Sequence, residues 1–352
     1  MSWLTPDDDA DDPYAEYADL QVRQRPNPKA NRPRTKRRPE HADALTGMVT
    51  AVDRGRYTAL VGSGADPEDP RERPVLASRA RELRRTPIVI GDRVQLVGDT
   101  SGDAGTLSRI VSVEDRRTLL RRSADDSDRI ERVMVANADQ MLIVVAAANP
   151  EPRVRLVDRY LVAAYDAGIS PLICITKVDL ADPEPFLSHF AALEVPVFRS
   201  QPDAWPLDEI RASLAGRTTV FVGHSGVGKS TLINALVPDA ERAIGHVNEV
   251  TGRGRHTSSS SVALRASTPG AANGAAGWVI DTPGVRSFGL GHVTTEGILS
   301  GFTDLAEIIE GCPRGCTHQD DAPDCELDAA IADGRLDAAG AARVESLRRL
   351  LK

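Results

Sequence analysis

The chain has 352 residues, of which 41% are hydrophobic, so it is long enough for two or three domains with buried cores. Its formal net charge of −8 argues against a protein that coats nucleic acid over its whole surface. No run of 18 or more apolar residues is present, which excludes the pattern of a membrane-spanning helix. The first residues are acidic where a secretion signal is basic and then apolar, so we expect a cytoplasmic protein that contacts no membrane.

Residues 1–43 are predicted to be a disordered arm with two oppositely charged halves. Residues 1–19 carry seven acids and no base, whereas residues 21–38 carry eight lysines or arginines, three prolines and no acid. Such a segment buries too little apolar area to fold. The basic half has two interpretations, a solvated tail or a contact to RNA phosphates that weakens with salt.

Residues 44–122 are predicted to form a small OB-like β-barrel. Short strands with alternating apolar and polar residues follow one another here, separated by turns, and no long helix interrupts them. A barrel of this kind is a common platform for nucleic acid and is equally compatible with a spacer. The arginines that favour RNA are Arg79, Arg81, Arg84, Arg85, Arg116, Arg117, Arg121 and Arg122.

Residues 123–300 are predicted to form an α/β domain. From about Val133, almost wholly apolar strands such as QMLIVVAAA and PLICI alternate with helical segments such as VDRYLVAAYDAG. This alternation is typical of a mostly parallel sheet that is covered on both faces.

The stretch TKVDL follows one of these strands and is interpreted as a guanine reader. A carboxylate at Asp179 would accept hydrogen bonds from the N1–H and the exocyclic amino group of guanine, and adenine offers neither donor on that edge. The stem of Lys177 is expected to pack on the base, and Ser200, after the strand VPVFR, to begin a loop that backs it. The predicted base contacts are Thr176, Lys177, Val178, Asp179 and Ser200.

The stretch GHSGVGKS, residues 223–230, fits the complete P-loop pattern and lies between an apolar strand and a helix. Its glycines allow backbone N–H groups to curl around phosphate oxygens. Lys229 is predicted to pair with the β- and γ-phosphates and Ser230 to ligate Mg²⁺. The pattern alone does not distinguish GTP from ATP. The predicted phosphate contacts are Gly223, His224, Ser225, Gly226, Val227, Gly228, Lys229, Ser230 and Thr231.

Two later stretches are predicted to sense the γ-phosphate. In DTPG, Asp281 would hold Mg²⁺ through water and Gly284 would contact the γ-phosphate. The next residue is Val285, where many GTPases have a glutamine that orients the attacking water, and an aliphatic side chain cannot do this.

The loop GRGRHT lies between the P-loop and DTPG, where a first switch is expected. Thr257 is the predicted ligand of Mg²⁺, with Thr251 as second choice. His256 has two interpretations, an exposed loop histidine or a group that positions the attacking water. The predicted catalytic residues are therefore His256, Lys229 and Thr257.

Residues 301–352 are predicted to form a zinc-binding C-terminal domain that ends in helix. Three thiolates and one imidazole, from Cys312, Cys316, His318 and Cys325, suit one structural Zn²⁺ in tetrahedral coordination. The alternative is three free cysteines in a core, but GCPRGCTHQDDAPDC is polar and loop-like. Cys174 is interpreted as a residue of a strand core.

In this chain the guanine reader precedes the P-loop, whereas the usual GTPase order places it last, so the domain is predicted to be circularly permuted. The motifs in this order resemble the ribosome small subunit-dependent GTPase family, RsgA (also called YjeQ or EngC). The resemblance covers about residues 44–350. It is carried by VANADQMLIVVAA, LVDRYL, TKVDL, GHSGVGKSTLINAL, GRGRHT, DTPGVRSFGL and the Cys/His cluster.

The resemblance implies an OB barrel, a permuted GTPase domain and a zinc domain. It implies binding to the 30S ribosomal subunit and its 16S rRNA late in assembly, GTP hydrolysis that the subunit stimulates, and a catalytic role for His256. The chain departs from the family pattern in two places. Thr176 stands where many members have asparagine, which weakens contacts around guanine N7. The spacers between the metal ligands are three, one and six residues, where four, one and five are usual.

Two other functions remain open on the residues alone. One is a P-loop ATPase or kinase, and the other is a passive ribosome- or RNA-binding protein in which the nucleotide is only a structural ligand. We expect the protein to be a monomer.

Overall fold

The structure is a computed structural model and describes residues 41, 43–53, 55–62, 72–83, 86–123, 131–237, 261–266, 277–282 and 293–352. Within them the strands are β1 (Leu45–Asp53), β2 (Arg56–Val61), β3 (Arg73–Arg79), β4 (Arg93–Gly98), β5 (Ser108–Val113), β6 (Leu119–Ser123), β7 (Glu131–Ala136), β8 (Gln140–Ala146), β9 (Ser170–Thr176), β10 (Val197–Arg199), β11 (Thr218–Val222), β12 (Val262–Ala266) and β13 (Gly277–Asp281). The α-helices are α1 (Val154–Asp166), α2 (Glu184–Leu187), α3 (Leu207–Leu214), α4 (Lys229–Leu236), α5 (Thr295–Leu299), α6 (Ala306–Ile309), α7 (Glu326–Ala332) and α8 (Ala338–Leu351). Short 3-10 helices lie at Arg81–Leu83, Ser188–Leu193 and Thr303–Leu305.

The first five strands close into a barrel in the order β1-β2-β3-β5-β4, with β4 pairing back onto β1. All pairings are antiparallel except that of β3 with β5. Alternate residues point inward, so Val49, Val75 and Leu96 are fully buried while their neighbours are at least partly exposed. The predicted small barrel is confirmed, and its strand order is that of an OB-like barrel.

Arg116, one of the arginines that the sequence assigned to RNA, has a structural role instead. Its guanidinium donates to both carboxylate oxygens of Asp92, at 2.7 and 2.8 Å, and Asp92 is fully buried. The same carboxylate accepts the backbone N–H of Val89 at 2.8 Å. A buried carboxylate needs such a partner, because an unpaired buried charge is strongly destabilising. Arg116 therefore fixes the segment that follows the barrel.

The α/β domain occupies the other part of the same 11-stranded sheet, with strand order β10-β9-β8-β11-β13-β12. The first five of these strands run parallel, and β12 is antiparallel to β13. The carboxyl ends of the parallel strands consequently meet at one edge, which is where α/β proteins bind their ligands. A single pairing, Ala51 with Val262, joins β12 to β1 of the barrel.

Helices cover both faces of this sheet. Along β8 the side chains of Met141 and Ile143 join one core with α1, while Leu142 and Val144 join the other core with α3 and α4. Every residue of β8 is buried, which explains its continuous apolar run. The predicted α/β architecture is confirmed.

The C-terminal helices share the first of these cores with α1. Phe302 is fully buried, its ring lies 6.0 Å from that of Tyr165, and the guanidinium of Arg343 lies 5.3 Å above it. Arg343 also donates to the carbonyl of Ala192 at 2.7 Å and to Asp304 at 2.6 Å. One continuous core therefore joins α1 to the residues around the Cys/His cluster.

Replacing Phe302 by alanine is expected to lower the free energy of unfolding by about 3–5 kcal/mol, because it empties a fully buried site. Urea denaturation followed by circular dichroism would measure the loss. Leu107→Ala is the matched control, since Leu107 is 48% exposed and its truncation should cost less than about 0.5 kcal/mol. An equal effect of the two substitutions would contradict the shared core.

Two of the predicted domain boundaries fall inside or beside described elements. Residue 122 lies within β6, which pairs with β7 in a separate two-stranded sheet. Residue 300 lies between α5 and the 3-10 helix at Thr303–Leu305. The boundaries themselves stay predictions. None of the helices in the described part of the chain is long and apolar enough to cross a membrane.

Candidate nucleotide site and metal centre

The P-loop joins β11 to α4 at the carboxyl edge of the sheet, and α4 begins at Lys229. Gly223 lies against the neighbouring strand so closely that a Cβ would be 2.4 Å from the carbonyl oxygen of Val144. Gly228 has φ +96°, a conformation that glycine adopts without strain. Glycine is therefore required at both positions. Without side chains there, the backbone N–H groups of the loop are accessible to a ligand at the amino end of α4.

Lys229 and Asp281 form an ion pair across the ends of β11 and β13. Their side chains are 12% and 28% exposed, so a ligand can reach them. Thr282, the next residue of DTPG, is buried and donates its hydroxyl to the carbonyl of Phe221 at 2.9 Å. The predicted phosphate lysine and the predicted Mg²⁺ acid thus lie side by side where a phosphate chain and its cation would bind.

The predicted guanine reader contacts the P-loop directly. Thr176 is 2% exposed and donates its hydroxyl to the carbonyl of Val227 at 2.6 Å. Lys177 donates its Nζ to the carbonyl of Gly226 at 2.9 Å and to that of Asn149. Sequence reasoning missed both contacts, since residues 51 and 49 positions apart give no local signal of pairing. Thr176 thus holds the end of β9 to the P-loop.

Substituting Thr176 with valine is expected to weaken GDP binding about tenfold, because it leaves the buried Val227 carbonyl without its donor. Thr176→Ser should retain most of the affinity. Isothermal titration with GDP would measure both. Thr58→Val is the matched control, since the buried Thr58 hydroxyl in the barrel has no hydrogen-bond partner among the described residues. GDP binding by Thr176→Val at the parental affinity would contradict the role of this contact.

Asp179 and Ser200 occupy opposite extremes of exposure at this edge. Asp179 is exposed and free to meet a ligand, as predicted for a base-reading carboxylate. Ser200 is 1% exposed, and its backbone N–H donates to the carbonyl of Ile175 at 2.9 Å. The Ser200 N–H is therefore used in the pairing with β9 and does not face a ligand. Its carbonyl accepts the N–H of Val178 at 3.2 Å, so Ser200 fixes the turn that presents Asp179.

Several predicted residues lie outside the described residues, namely Arg84, Arg85, Thr251, His256, Thr257, Gly284 and Val285. The roles given to them stay predictions. The remaining predicted P-loop residues, His224, Ser225, Ser230 and Thr231, are exposed at the sheet edge.

The four predicted metal ligands meet between α6 and α7. The ligand atoms of Cys312, Cys316, His318 and Cys325 all lie within 4.8 Å of one another. His318 Nδ1 lies 3.6 Å from the Cys312 sulfur and 4.0 Å from the Cys325 sulfur. A tetrahedral ion with Zn–S and Zn–N bonds of about 2.3 and 2.0 Å separates N and S by about 3.5 Å. The donors present fit zinc.

The surroundings of the cluster affect the protonation of its donors and make hydrogen bonds to them. Burial raises the pKa of Cys312 to about 11 in the metal-free protein, and burial lowers the pKa of His318. A low imidazole pKa keeps His318 neutral, as a ligand must be, whereas the thiol has to lose its proton to the incoming metal. The Glu326 N–H donates to the Cys312 sulfur at 3.4 Å, and the Arg348 guanidinium donates to the His318 carbonyl at 3.0 Å. Both contacts are of the kind that orients metal ligands.

The family model described as RsgA GTPase matches residues 113–291. A relative from Pseudomonas aeruginosa (strain LESB58), named small ribosomal subunit biogenesis GTPase RsgA, is 37% identical over 71% of this chain and 71% of its own length. A relative of the same name from Chlorobaculum parvum is 34% identical over 84% of this chain and 94% of its own.

Two solved structures share the fold. The crystal structure of YjeQ from Thermotoga maritima has a TM-score of 0.61 and 22% identity, covering 88% of this chain and 97% of that one. The crystal structure of YloQ, a circularly permuted GTPase, has a TM-score of 0.57 and 24% identity, covering 88% and 96%. At these sequence identities, the similarity to the two solved structures supports the fold alone. The family model and the curated relatives carry the assignment, and the chain belongs to the RsgA GTPase family.

Proposed function

We propose that this protein is a GTP hydrolase that acts in the biogenesis of the small ribosomal subunit. Its relatives carry that function in their names. The observation in the structure that carries the proposal is the 2.6 Å hydrogen bond from Thr176 to Val227. This bond joins the predicted guanine reader to the P-loop at one sheet edge, which supports the binding of a guanine nucleotide across the two.

The binding roles follow from where each side chain lies. Lys229 pairs with phosphate oxygens in exchange for Asp281, its partner in the structure. Asp179 reads the base from its exposed position, and Lys177, fixed by the Gly226 carbonyl, borders the same space. Ser230, at the start of α4, and Thr257 are the proposed ligands of Mg²⁺, with Asp281 close by. Mg²⁺ supplies charge neutralisation on the β- and γ-phosphates when it is bound.

Hydrolysis needs a group that orients the attacking water. Val285 cannot fill this role, because its side chain has no polar atom. His256 is the proposed group, since an imidazole accepts a proton near neutral pH and general-base contributions of about 10²–10⁴-fold are usual. Stimulation by the 30S subunit then consists of placing His256 at the nucleotide.

In this proposal the β-barrel binds the ribosome, and the Cys/His cluster stabilises the C-terminal region. The barrel contacts 16S rRNA through its exposed arginines, such as Arg79 at the end of β3. The Cys/His cluster holds one structural Zn²⁺, which Cys312, Cys316, His318 and Cys325 ligate. The protein acts as a monomer in the cytoplasm.

The decisive experiment measures GTP hydrolysis with and without 30S subunits for the parent and for His256→Ala. Subunits should accelerate the parent at least about tenfold, and His256→Ala should lower the stimulated rate about 100-fold while GDP binding is kept. His189→Ala is the matched control, because His189 is exposed on the Ser188–Leu193 helix, outside the nucleotide edge. A parent that subunits fail to accelerate would show a passive ribosome- or RNA-binding protein instead.

Titration with GDP and ADP separates the guanine reading from a P-loop ATPase or kinase. GDP should bind at least about 100-fold more tightly than ADP, because ADP leaves the Asp179 carboxylate without donors. Equal affinity for the two nucleotides would exclude the guanine site.

A further inference from the structure

A tryptophan lies beside the contact between the proposed guanine reader and the P-loop. Trp205 follows β10 and lies at the end of a tight turn, in which Gln201 and Ala204 exchange backbone hydrogen bonds of 3.4 and 3.1 Å. The N–H of Leu207, the first residue of α3, donates to the Trp205 carbonyl at 2.8 Å. The side chain is half-buried and packs against the core between the sheet and α3 and α4. The indole is thus held on a fixed backbone.

The far end of the indole points at the last glycine of the P-loop. A Cβ built on Gly228 would lie 3.6 Å from Cη2 of Trp205 and 3.7 Å from the Thr176 side chain. Gly228, Thr176 and Trp205 therefore converge on one point. They come from the loop after β11, the end of β9 and the turn after β10, respectively.

In the proposed function, the base and the phosphates of a guanine nucleotide join near this point. The proposed function places the phosphates at Lys229 and the base at Asp179, and Thr176 binds Val227 between them. The sugar must pass the end of the P-loop near Gly228, since it connects base and phosphates. An aromatic ring on that path excludes water from one side of the nucleoside and offers it an apolar face.

We propose that Trp205 packs against the nucleoside of the bound guanine nucleotide and contributes to its affinity. The inference rests on the proposed function, because it takes the guanine site as given. Trp205 makes no contact with phosphate in this assignment. Its contribution is absent for a ligand that consists of phosphates alone.

The test compares GDP with inorganic tripolyphosphate, each with Mg²⁺, by isothermal titration of the full chain. Trp205→Leu should weaken GDP binding about tenfold and change tripolyphosphate binding less than about twofold, whereas Trp205→Phe should stay close to the parent. Trp278→Phe is the control tryptophan, because Trp278 lies on β13 under the Arg265 guanidinium and should leave both affinities unchanged.

A second measurement needs no substitution at Trp205. In a variant with Trp3→Phe and Trp278→Phe, Trp205 is the remaining tryptophan, and GDP should shift its emission more than tripolyphosphate does. The absence of a GDP-dependent shift would overturn the proposal. So would an equal loss of GDP and tripolyphosphate affinity in Trp205→Leu, which would mean that Trp205 only supports the P-loop.

The outcomes separate the two levels of inference. If the parent binds no GDP, the proposed function itself fails. If the parent binds GDP and Trp205→Leu binds it equally well, only the role of Trp205 fails.

Discussion

Replacing Asp179 with asparagine is expected to change the base preference of this protein from guanine to xanthine. An aspartate accepts hydrogen bonds from N1–H and from the exocyclic amino group of guanine. Xanthine carries a carbonyl in place of that amino group, so it suits an asparagine, whose amide both accepts and donates. The ratio of GDP to XDP affinity should fall by about 10⁴, because each mismatched pair leaves polar groups unpaired. Isothermal titration with both nucleotides would measure the change.

This substitution should change base recognition without changing the stability of the fold. Asp179 is exposed, so asparagine there costs the fold nothing. Asp182→Asn is the matched control, because its side-chain oxygen accepts the Glu184 N–H at 3.0 Å and an asparagine oxygen accepts it as well. GDP affinity that stays at the parental value in Asp179→Asn would exclude Asp179 as the base reader, while the P-loop assignment would stand.

The residues of the candidate site could be predicted from the sequence because they belong to short motifs. P-loops, base readers and Cys/His clusters each hold their residues at fixed spacings, and strand periodicity shows which strand precedes each motif. The parallel sheet then brings their carboxyl ends to one edge. The barrel was predictable for a similar reason, since alternation along β1 and β3 reports which face is buried.

The contacts between distant motifs were not predictable in the same way. The bond between Thr176 and Val227 depends on β9 and β11 lying on either side of β8, an order that local patterns do not contain. Arg116 is a second example, since an arginine in a basic segment of the sequence is predicted to be a solvent-exposed charge. Only the fold reveals that it neutralises the fully buried Asp92. Candidate arginines for an RNA contact therefore have to be selected by the exposure of their side chains as well as by their charge.

One hydrophobic core connects α1, beside the P-loop edge of the sheet, with the residues around the Cys/His cluster. The strand that ends in Asp281 is followed in the chain by α5 and then by Phe302, which lies in the core shared with α1. The amino end of α1 in turn follows β8, whose last residues border the P-loop through the Val144 carbonyl. A change at the P-loop thus has a packed route to the C-terminal helices through α1.

Removal of the metal is expected to unfold the C-terminal region. The cluster ties the segment between α6 and α7 together, and Cys325 is 3% exposed at the amino end of α7. Structural zinc contributes about 10–16 kcal/mol in small metal-dependent folds, which equals or exceeds the total stability of about 5–15 kcal/mol that a domain has. Cys325→Ser should therefore lose zinc and lower the melting temperature by at least about 10 °C.

Metal content by mass spectrometry and thermal melts by circular dichroism would measure the two effects. The parent should hold one zinc per chain. Cys174→Ala is the matched control, because Cys174 is a buried cysteine of β9 outside the cluster and its variant should keep the metal. Since Phe302 and Cys325 belong to one core with α1, loss of zinc should also expose Phe302 and loosen the contact of Arg343 with Ala192. A Cys325→Ser protein that keeps stoichiometric zinc and the parental melting temperature would mean that the cluster does not hold this region together.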